Sequence, residues 1–381
     1  MSVGYEELRR GVRGVCARFP NAYWRELDAA RRYPEEFVRA MAEAGYLAAL
    51  IPEKYGGMGL DLSAACAILE EVNRSGANAG PAHAQMYTMG TLLRHGSERQ
   101  KSEYLPGIAS GELRLQAFAV TEPEAGTDTT SIRTRATREG DHYVVNGRKI
   151  YISRVEHSDL MVLLARTTPP EEVEKRTQGL SVFLVDLREA SGLTVKPRSV
   201  MMNNATSELL LEGLRVPEEN LIGEEGEGFR CILDGMNAER ALIAAECIGD
   251  GRFFIDRAAE RAREREVFGR PIGQNQGVQF PIARAYASVE AASLMVEKAA
   301  LLFDRGEPCG AEANVAKLLA ADASWEAANV AVQTFGGYAF DAEYDIERKF
   351  RETRLYQVAP ISTNLILSYV AEHVLGLPRS F

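Results

Sequence analysis

The chain has 381 residues, of which 46% are hydrophobic and 26% are charged, and its formal net charge is −10. Its length allows a large core and two or three domains, while its acidic balance excludes surfaces that bind nucleic acid or anionic membranes. The sequence has neither a basic-then-apolar leader nor a membrane-spanning run, so we expect a cytoplasmic protein without membrane insertion. Its five cysteines and five histidines are scattered without the spacing of metal ligands or disulfide pairs. We therefore predict no metal site and no disulfide framework.

Hydrophobic periodicity changes twice along the chain. Helical spacing is found from Tyr5 to about Glu112, interrupted by the glycine-rich turn IPEKYGGMGL (51–60). Short alternating runs follow, and Asn146–Gly147 within HYVVNGRKIYIS (142–153) is a strong hairpin signal. Helical spacing then returns.

We therefore predict an α+β multidomain protein with an α, β, α order. Its three domains are predicted as an N-terminal α-helical domain (1–115), a central β domain (116–225) and a C-terminal helical domain (226–381).

The sequence lacks the motifs of several common enzyme classes. It has no G-x-S-x-G elbow, no P-loop and no G-x-G-x-x-G after a strand, which removes the main support for a serine hydrolase, an NTPase or a Rossmann enzyme. The cluster GEEGEGF (223–229) contains three glutamates that would repel a phosphate. We interpret it as a flexible entry into the next helix.

The segment FAVTEPEAGTD (118–128) ends an apolar strand in a loop rich in hydroxyl and backbone donors, although a plain β-turn is also possible. It resembles the acyl-CoA dehydrogenase motif in which an aromatic residue, a Val and a Thr lie along the flavin ring. The resemblance implies that Phe118, Val120 and Thr121 bind FAD and that Thr127 contacts the pantetheine arm of the substrate.

The next strand, NGRKIYIS, is similar to a strand of the same family whose aromatic residue covers the flavin and whose hydroxyl binds the reactive ring nitrogen. These positions are Tyr151 and Ser153. The family more often has Trp and Thr there.

Two later motifs also match the family. REVFGRPIGQNQG (265–277) is similar to its R-x-x-F-G…Q motif, which binds the FAD of a neighbouring subunit, and QTFGGYAF (333–340) resembles its Q-x-x-G-G-x-G turn. By themselves, arginines at helix ends are common. Ala339 replaces the usual third glycine. The cofactor-binding residues implied by these two motifs are Arg265, Phe268, Gln276, Gln333, Gly336 and Gly337.

Removal of an α-proton from a thioester requires a carboxylate base. Many family members carry this base just after a Tyr-Gln pair, but LYQVAPISTNLI (355–366) has no carboxylate there. A minority, including the isovaleryl-CoA and long-chain dehydrogenases, carry it on the first C-terminal helix, where MNAERALIAAECIG (236–249) places Glu239. From the residues alone, an exposed Glu239 paired with Arg240 is the alternative. Glu246, seven residues on, is the second candidate base.

Other positions complete the implied site. Asn237 and Arg240 match substrate-binding positions, and Ser362 and Asn364 match positions that touch FAD. Pro360 stands where the family uses a backbone N–H to polarise the thioester carbonyl, and proline has no such donor.

The resemblance implies the three-domain fold of this family, with a central β-barrel and a C-terminal four-helix bundle. It implies FAD-dependent α,β-dehydrogenation of a short, branched or cyclic acyl-CoA in a homotetramer, a dimer of dimers, that passes electrons to an electron-transfer flavoprotein. The alternatives are an oxygen-using flavin monooxygenase or oxidase of the same fold, or a partner subunit without turnover.

Overall fold

The computed structural model describes residues 5–202 and 205–379, so residues 1–4 and 380–381 of the predicted terminal domains lie outside the described residues. Within this part of the chain there are eleven α-helices: α1 (Glu6–Cys16), α2 (Asn21–Ala30), α3 (Glu35–Glu43), α4 (Leu62–Arg74), α5 (Gly80–His95), α6 (Glu98–Ser110), α7 (Gly228–Glu264), α8 (Gln276–Asp304), α9 (Gly310–Phe335), α10 (Ile346–Arg354) and α11 (Thr363–Tyr369).

The strands fall almost entirely between α6 and α7, as the sequence predicts. They are β1 (Leu115–Ala119), β2 (Arg135–Glu139), β3 (His142–Ser153), β4 (Leu160–Arg166), β5 (Leu180–Asp186), β6 (Leu193–Pro197), β7 (Thr206–Pro217), β8 (Leu221–Ile222), β9 (Glu266–Val267) and β10 (Arg270–Pro271). The predicted order of helices, strands and helices is confirmed.

The chain forms two compact units. The helical unit contains the described parts of residues 1–30, 61–79 and 237–381, and the sheet unit contains residues 31–60 and 80–236. The boundary at Met236 falls within helix α7. The predicted division into three consecutive domains stays a prediction.

The sheet unit is built on an eight-stranded sheet in the order β6-β7-β3-β2-β4-β5-β8, with β1 paired to β4. Among the described strands, the hydrogen-bonded pairs do not close into a barrel. The structure therefore shows a central sheet domain. Strand β4 is buried along its whole length. Its alternate residues enter different core clusters, with Leu160 in one and Met161 in the other. Burial on both faces explains its continuous apolar sequence.

The predicted hairpin at Asn146–Gly147 is wrong. Strand β3 runs straight through this pair, and its register with β7 shifts between Val145 and Gly147, which marks a bulge. Asn146 Oδ1 accepts a hydrogen bond from Gly213 N at 2.8 Å. The turn that joins β2 to β3 lies instead at Gly140–Asp141, where Gly140 has a φ of 68°.

Capping residues at the two ends of helix α6 determine where the helix stops and the chain continues into strand β1. Helix α6 begins with a capping box in which Gln100 N donates to Ser97 Oγ at 3.1 Å and Ser97 N donates to Gln100 Oε1 at 2.9 Å. It ends at Ser110 and is followed by its C-cap Gly111, whose φ of 80° suits glycine. Strand β1 starts four residues later.

In the helical unit, the long helices α8 and α9 pack against each other, and each buries small residues, such as Ala292 on α8 and Ala316 on α9. Helix α4 is capped by Asp61, whose carboxylate accepts a hydrogen bond from Ala64 N at 2.8 Å. Among the described helices, none combines the length and apolarity that crossing a membrane requires.

Candidate active site

The end of strand β1 carries three of the predicted residues. Phe118 pairs with Val162 of β4 in parallel register and is half-buried. The strand ends at Ala119, and Val120 and Thr121 follow as half-buried residues. The Phe118 ring meets the Tyr87 ring of helix α5 edge to face, with 5.3 Å between the centroids. The predicted strand end therefore leaves side chains partly open to a ligand.

A buried ion pair fastens this strand end to β3. Lys149 Nζ donates to Val120 O and to Glu122 Oε1, both at 2.9 Å, and the lysine side chain is fully buried. Ile150 N also donates to Thr121 O at 3.0 Å. These contacts bring Phe118, Val120 and Thr121 close to the strand that carries Tyr151 and Ser153.

The two charges of this pair respond differently to burial. Burial by itself would raise the pKa of Glu122, but the Lys149 ammonium and the Arg133 N–H keep it below its usual value. Burial lowers the pKa of Lys149 to about 8, although Glu122 opposes this effect. Sequence reasoning missed both residues, because a lone lysine in an alternating strand normally faces solvent.

Tyr151 lies at a second bulge of β3, between Lys149 and Ile152. Its φ is 58°, which is a strained conformation for an aromatic residue, and its side chain is 59% exposed. The Arg198 guanidinium lies 5.7 Å from its ring centroid. Ser153 is half-buried opposite Thr206 of β7. The bulge therefore presents a broad aromatic surface beside Lys149.

Thr127 lies in the exposed loop after the strand end. The loop is ordered by Asp128, whose carboxylate accepts from the Ser131 and Thr130 hydroxyls and from Arg176. These donors lower the pKa of Asp128 to about 2. The position of Thr127 is compatible with contact to an extended ligand arm.

In the helical unit, Glu239 of α7 is only 7% exposed, so the alternative of an exposed glutamate is wrong. The neighbouring Arg240 donates to Asn237 Oδ1 at 3.0 Å. Burial lowers the pKa of Arg240, and the charge of Glu239 opposes that effect. The predicted base and both predicted substrate residues therefore lie within one turn of the same helix.

Two residues missed by sequence reasoning border this cluster. They are Cys309 and Tyr369, each of which lies close enough to Arg240 to interact with its charge, and a Cβ placed on Gly310 would lie 2.6 Å from the Tyr369 hydroxyl. No recognisable motif surrounds these residues, and only the tertiary fold brings them to Arg240.

Glu246, the second candidate base, is 2% exposed and accepts a hydrogen bond from the Tyr356 hydroxyl at 2.9 Å. Asn73 Nδ2 donates to Tyr356 Oη at 3.1 Å and to Glu246 O at 3.2 Å. Burial raises the pKa of Tyr356 far above its usual value, with Glu246 adding to the effect. This arrangement anchors the segment that leads to Ser362.

The predicted diphosphate clamp lies around a small hairpin. Helix α7 ends at Glu264, and Arg265 follows as an exposed residue. Strands β9 and β10 are joined by Phe268–Gly269, whose φ values of 54° and 73° are those of a type I′ turn. Phe268 is 100% exposed at its tip. Gln276 is exposed at the first position of α8.

The glycine turn follows helix α9, on which Gln333 is exposed. Gly336 has a φ of 62° and a ψ of −133°, a combination that essentially only glycine adopts. A Cβ placed on Gly336 or Gly337 would meet no atom within 4 Å. Ala339 is 2% exposed. The backbone at the two glycines is therefore open to a close ligand.

Ser362 caps helix α11 by accepting from Leu365 N, and Asn364 is exposed in its first turn. The segment before the helix contains a cis peptide bond between Ala359 and Pro360. The buried Lys317 donates to Ile361 O at 2.9 Å. The segment without the usual carboxylate is therefore held at Ile361 by a hydrogen bond from the Lys317 side chain.

Family models for the N-terminal, middle and C-terminal domains of acyl-CoA dehydrogenases match residues 4–112, 117–214 and 226–375. The chain belongs to the acyl-CoA dehydrogenase family. The acyl-CoA dehydrogenase FadE12 of Mycobacterium tuberculosis is 35% identical over 384 residues, covering 99% of this chain and 97% of that protein.

Two solved acyl-CoA dehydrogenase structures share the fold. Glutaryl-CoA dehydrogenase in complex with glutaryl-CoA is 31% identical, with a TM-score of 0.92 over 100% of this chain and 97% of the other. Butyryl-CoA dehydrogenase from Megasphaera elsdenii is 28% identical, with a TM-score of 0.92 over 98% and 99% of the two chains. The chain is thus an acyl-CoA dehydrogenase oxidoreductase with helical, sheet and helical domains, and FAD is the cofactor of its family.

The residues of each unit fit FAD chemically. The sheet unit offers the exposed Tyr151 ring at a strained bulge, which suits stacking on a flat ring system. The helical unit offers open backbone at Gly336 and Gly337 and the exposed guanidinium of Arg265, which suit a diphosphate. Among the described residues, no group of three His, Cys, Asp or Glu side chains could hold a metal ion.

Proposed function

We propose that this acyl-CoA dehydrogenase catalyses α,β-dehydrogenation of an acyl-CoA thioester, with Glu239 as the base that removes the α-proton. The observation that carries this proposal is the burial of Glu239, 7% exposed, beside Arg240 and Asn237 on one helical turn. Glu246 is less suited to the role because its carboxylate accepts the Tyr356 hydroxyl inside the core.

In this proposal, different residues bind the acyl-CoA substrate and accept its proton. Asn237 and Arg240 would orient the thioester, and Thr127 would contact its pantetheine arm. Glu239 would then accept the α-proton on its carboxylate. Pro360 cannot donate a hydrogen bond to the thioester carbonyl, so a donor at another position is required.

FAD, when bound, supplies the acceptor for the β-hydride. In this proposal Phe118, Val120 and Thr121 flank the ring, Tyr151 covers it and Ser153 hydrogen bonds to it. The remaining contacts to the cofactor are assigned to Arg265, Phe268, Gln276, Gln333, Gly336, Gly337, Ser362 and Asn364. The open aromatic and glycine surfaces described above support these assignments.

We further propose a cytoplasmic homotetramer, a dimer of dimers, that passes its electrons to an electron-transfer flavoprotein. The exposed Phe268 at a hairpin tip supports assembly, because an aromatic side chain gains most when another surface covers it. In the family, the matching motif contacts the FAD of a neighbouring subunit.

Replacement of Glu239 by Gln tests the base directly. The amide keeps the shape of the side chain but cannot accept the proton, so we expect kcat to fall at least about a hundredfold while FAD content is retained. Anaerobic bleaching of the flavin by a panel of acyl-CoAs measures the effect.

Glu246→Gln is the matched control, because it changes a buried carboxylate seven residues away on the same helix. It should keep most of the wild-type bleaching rate. Unchanged turnover in Glu239→Gln would remove Glu239 as the base, and wild-type protein that no acyl-CoA bleaches would refute the dehydrogenase proposal.

A further inference from the structure

Arg261 of helix α7 lies over the two aromatic rings that flank the glycine turn. Its guanidinium carbon is 5.6 Å from the centroid of the Phe335 ring and 4.7 Å from that of the Tyr338 ring, and the side chain is half-buried. Gly336 and Gly337 are the two residues between these rings in the sequence, and their backbone is open. The guanidinium therefore lies beside the backbone that the proposed function assigns to FAD.

Contact with the rings leaves the hydrogen-bond donors of Arg261 available. A guanidinium lies against an aromatic ring with its face, whereas its N–H groups point outward in its plane. Within the described part of the chain, no group accepts a hydrogen bond from the Arg261 side chain, and its Nε is buried without an acceptor.

Arg257, one turn earlier on α7, differs in this respect. Its guanidinium lies 5.9 Å from the centroid of the same Phe335 ring, but it donates to the Glu260 carboxylate at 3.1 Å. The protein itself therefore compensates the charge of Arg257, whereas it offers no such carboxylate to Arg261.

One turn after Arg261, Arg265 is a second arginine to which no carboxylate is hydrogen-bonded within the described residues. Arg265 N donates to Arg261 O at 2.9 Å, so the helical turn continues to Arg265 and the two side chains lie on the same side. Like charges at this spacing destabilise a helix. A diphosphate carries two anionic groups, and a guanidinium can bind each of them through two N–H donors. The arginine pair therefore matches a diphosphate in charge and in donors.

We propose that Arg261 binds one phosphate of the FAD diphosphate while Arg265 binds the other. This inference rests on the FAD contacts of the proposed function and adds a residue that no sequence motif indicated. The two aromatic rings hold the Arg261 guanidinium in place before the cofactor binds, so that binding costs little side-chain entropy.

Release of FAD from the purified holoenzyme, followed by flavin fluorescence after dilution, tests this role without any acyl-CoA. Arg261→Gln removes the charge, and we expect FAD to leave at least about tenfold faster, since a hydrogen bond to a charged group is lost. High salt should accelerate release from the wild-type protein more than from this variant, because the variant has one charged contact fewer to screen. Arg261→Lys keeps the charge but not the planar fork, so its release rate should fall between the two, and it carries the test if Arg261→Gln does not fold.

Arg257→Gln is the matched control, because it changes an arginine beside the same ring whose charge Glu260 already compensates. Its FAD release should stay within about twofold of wild type. Unchanged release in the Arg261 variants, an unchanged salt dependence in Arg261→Gln, or equally fast release from Arg257→Gln would overturn the role of Arg261 and leave dehydrogenation standing. Wild-type holoenzyme that no acyl-CoA bleaches counts against dehydrogenation and leaves the diphosphate contact standing.

Discussion

Lys149 is fully buried in strand β3, where it connects two segments that the sequence motifs treat separately. Its ammonium group contacts Val120 O and the Glu122 carboxylate. A lysine costs free energy when it is buried, and only a paired carboxylate and a carbonyl make this position tolerable. The ion pair therefore positions the strand end assigned to the cofactor.

Replacement of Lys149 by Met should lower the free energy of unfolding by about 3–5 kcal/mol, because Glu122 would remain as a buried charge without its cation. The double variant Lys149→Met/Glu122→Gln should recover part of this loss. Urea unfolding followed by circular dichroism measures both.

Lys196→Met is the control for this prediction, because Lys196 is exposed on strand β6 of the same sheet. A surface change of this kind should alter stability by no more than about 0.5 kcal/mol. Equal losses in the two single variants would show that the ion pair does not stabilise the sheet unit.

At the residue level, motif resemblance indicated the candidate positions but not their supports. The sequence predicted a carboxylate on α7, and Glu239 is indeed buried there. It gave no sign of the contacts that Lys149, Tyr356 and Tyr369 make, because each of them has a partner far away in the sequence. Partners of this kind follow from tertiary packing, which local spacing does not encode.

At the level of elements, the bulge at Gly147 explains why the predicted hairpin is wrong and why a side chain at this position would clash. An Asn-Gly pair favours a turn when the chain is considered locally. Here the pairing of β3 with β7 overrides that preference, and Asn146 instead hydrogen bonds to Gly213 N. Helices such as α4 were predictable because their caps and apolar spacing are local.

Gly147→Ala should lower the free energy of unfolding by about 1–3 kcal/mol, the usual cost of overpacking. A Cβ at this position would lie 2.4 Å from Thr134 Oγ1 and 2.7 Å from Thr134 Cα, and the backbone atom cannot move without shifting the strand. Thermal and urea unfolding measure the change.

Gly14→Ala is the corresponding control. Gly14 is exposed inside helix α1, and a Cβ there would meet no atom within 4 Å. Because alanine favours a helix over glycine, this variant should be neutral or more stable by up to about 1 kcal/mol. A neutral Gly147→Ala would mean that the strand tolerates a wider bulge.

For the whole molecule, periodicity predicted the order of helices, strands and helices. It did not predict which segments of the chain pack together into one compact unit. The helical unit combines three separate stretches of the chain. Periodicity reports whether a segment is helical and which face is apolar, and it does not report which distant segment covers that face.

At the scale of the whole molecule, a substitution of Phe268 tests whether subunits assemble through this side chain. Phe268→Asn removes the aromatic side chain but keeps a residue that tolerates the positive φ of the hairpin turn. If another subunit and its cofactor cover this ring, the variant should lose at least about half of its bound FAD and elute as a smaller species.

Leu375→Ser is the control, because Leu375 is also a large exposed side chain, at 66%. Size-exclusion chromatography with light scattering and the ratio of flavin to protein absorbance give the two readouts. A Phe268→Asn protein with unchanged mass and flavin content would contradict the role of this residue in assembly.

The three-part origin of the helical unit also has a consequence for biosynthesis. Arg25 pairs with Asp345 at 2.6 Å, and Leu62 N donates to Asp304 at 2.7 Å, so helices near the start of the chain obtain partners from its last third. On the ribosome, the sheet unit can form as soon as residue 236 has emerged, whereas helix α2 must wait for Asp345, near the end of the chain. During that interval its apolar face, including Trp24 and Leu27, is a surface that a chaperone would bind.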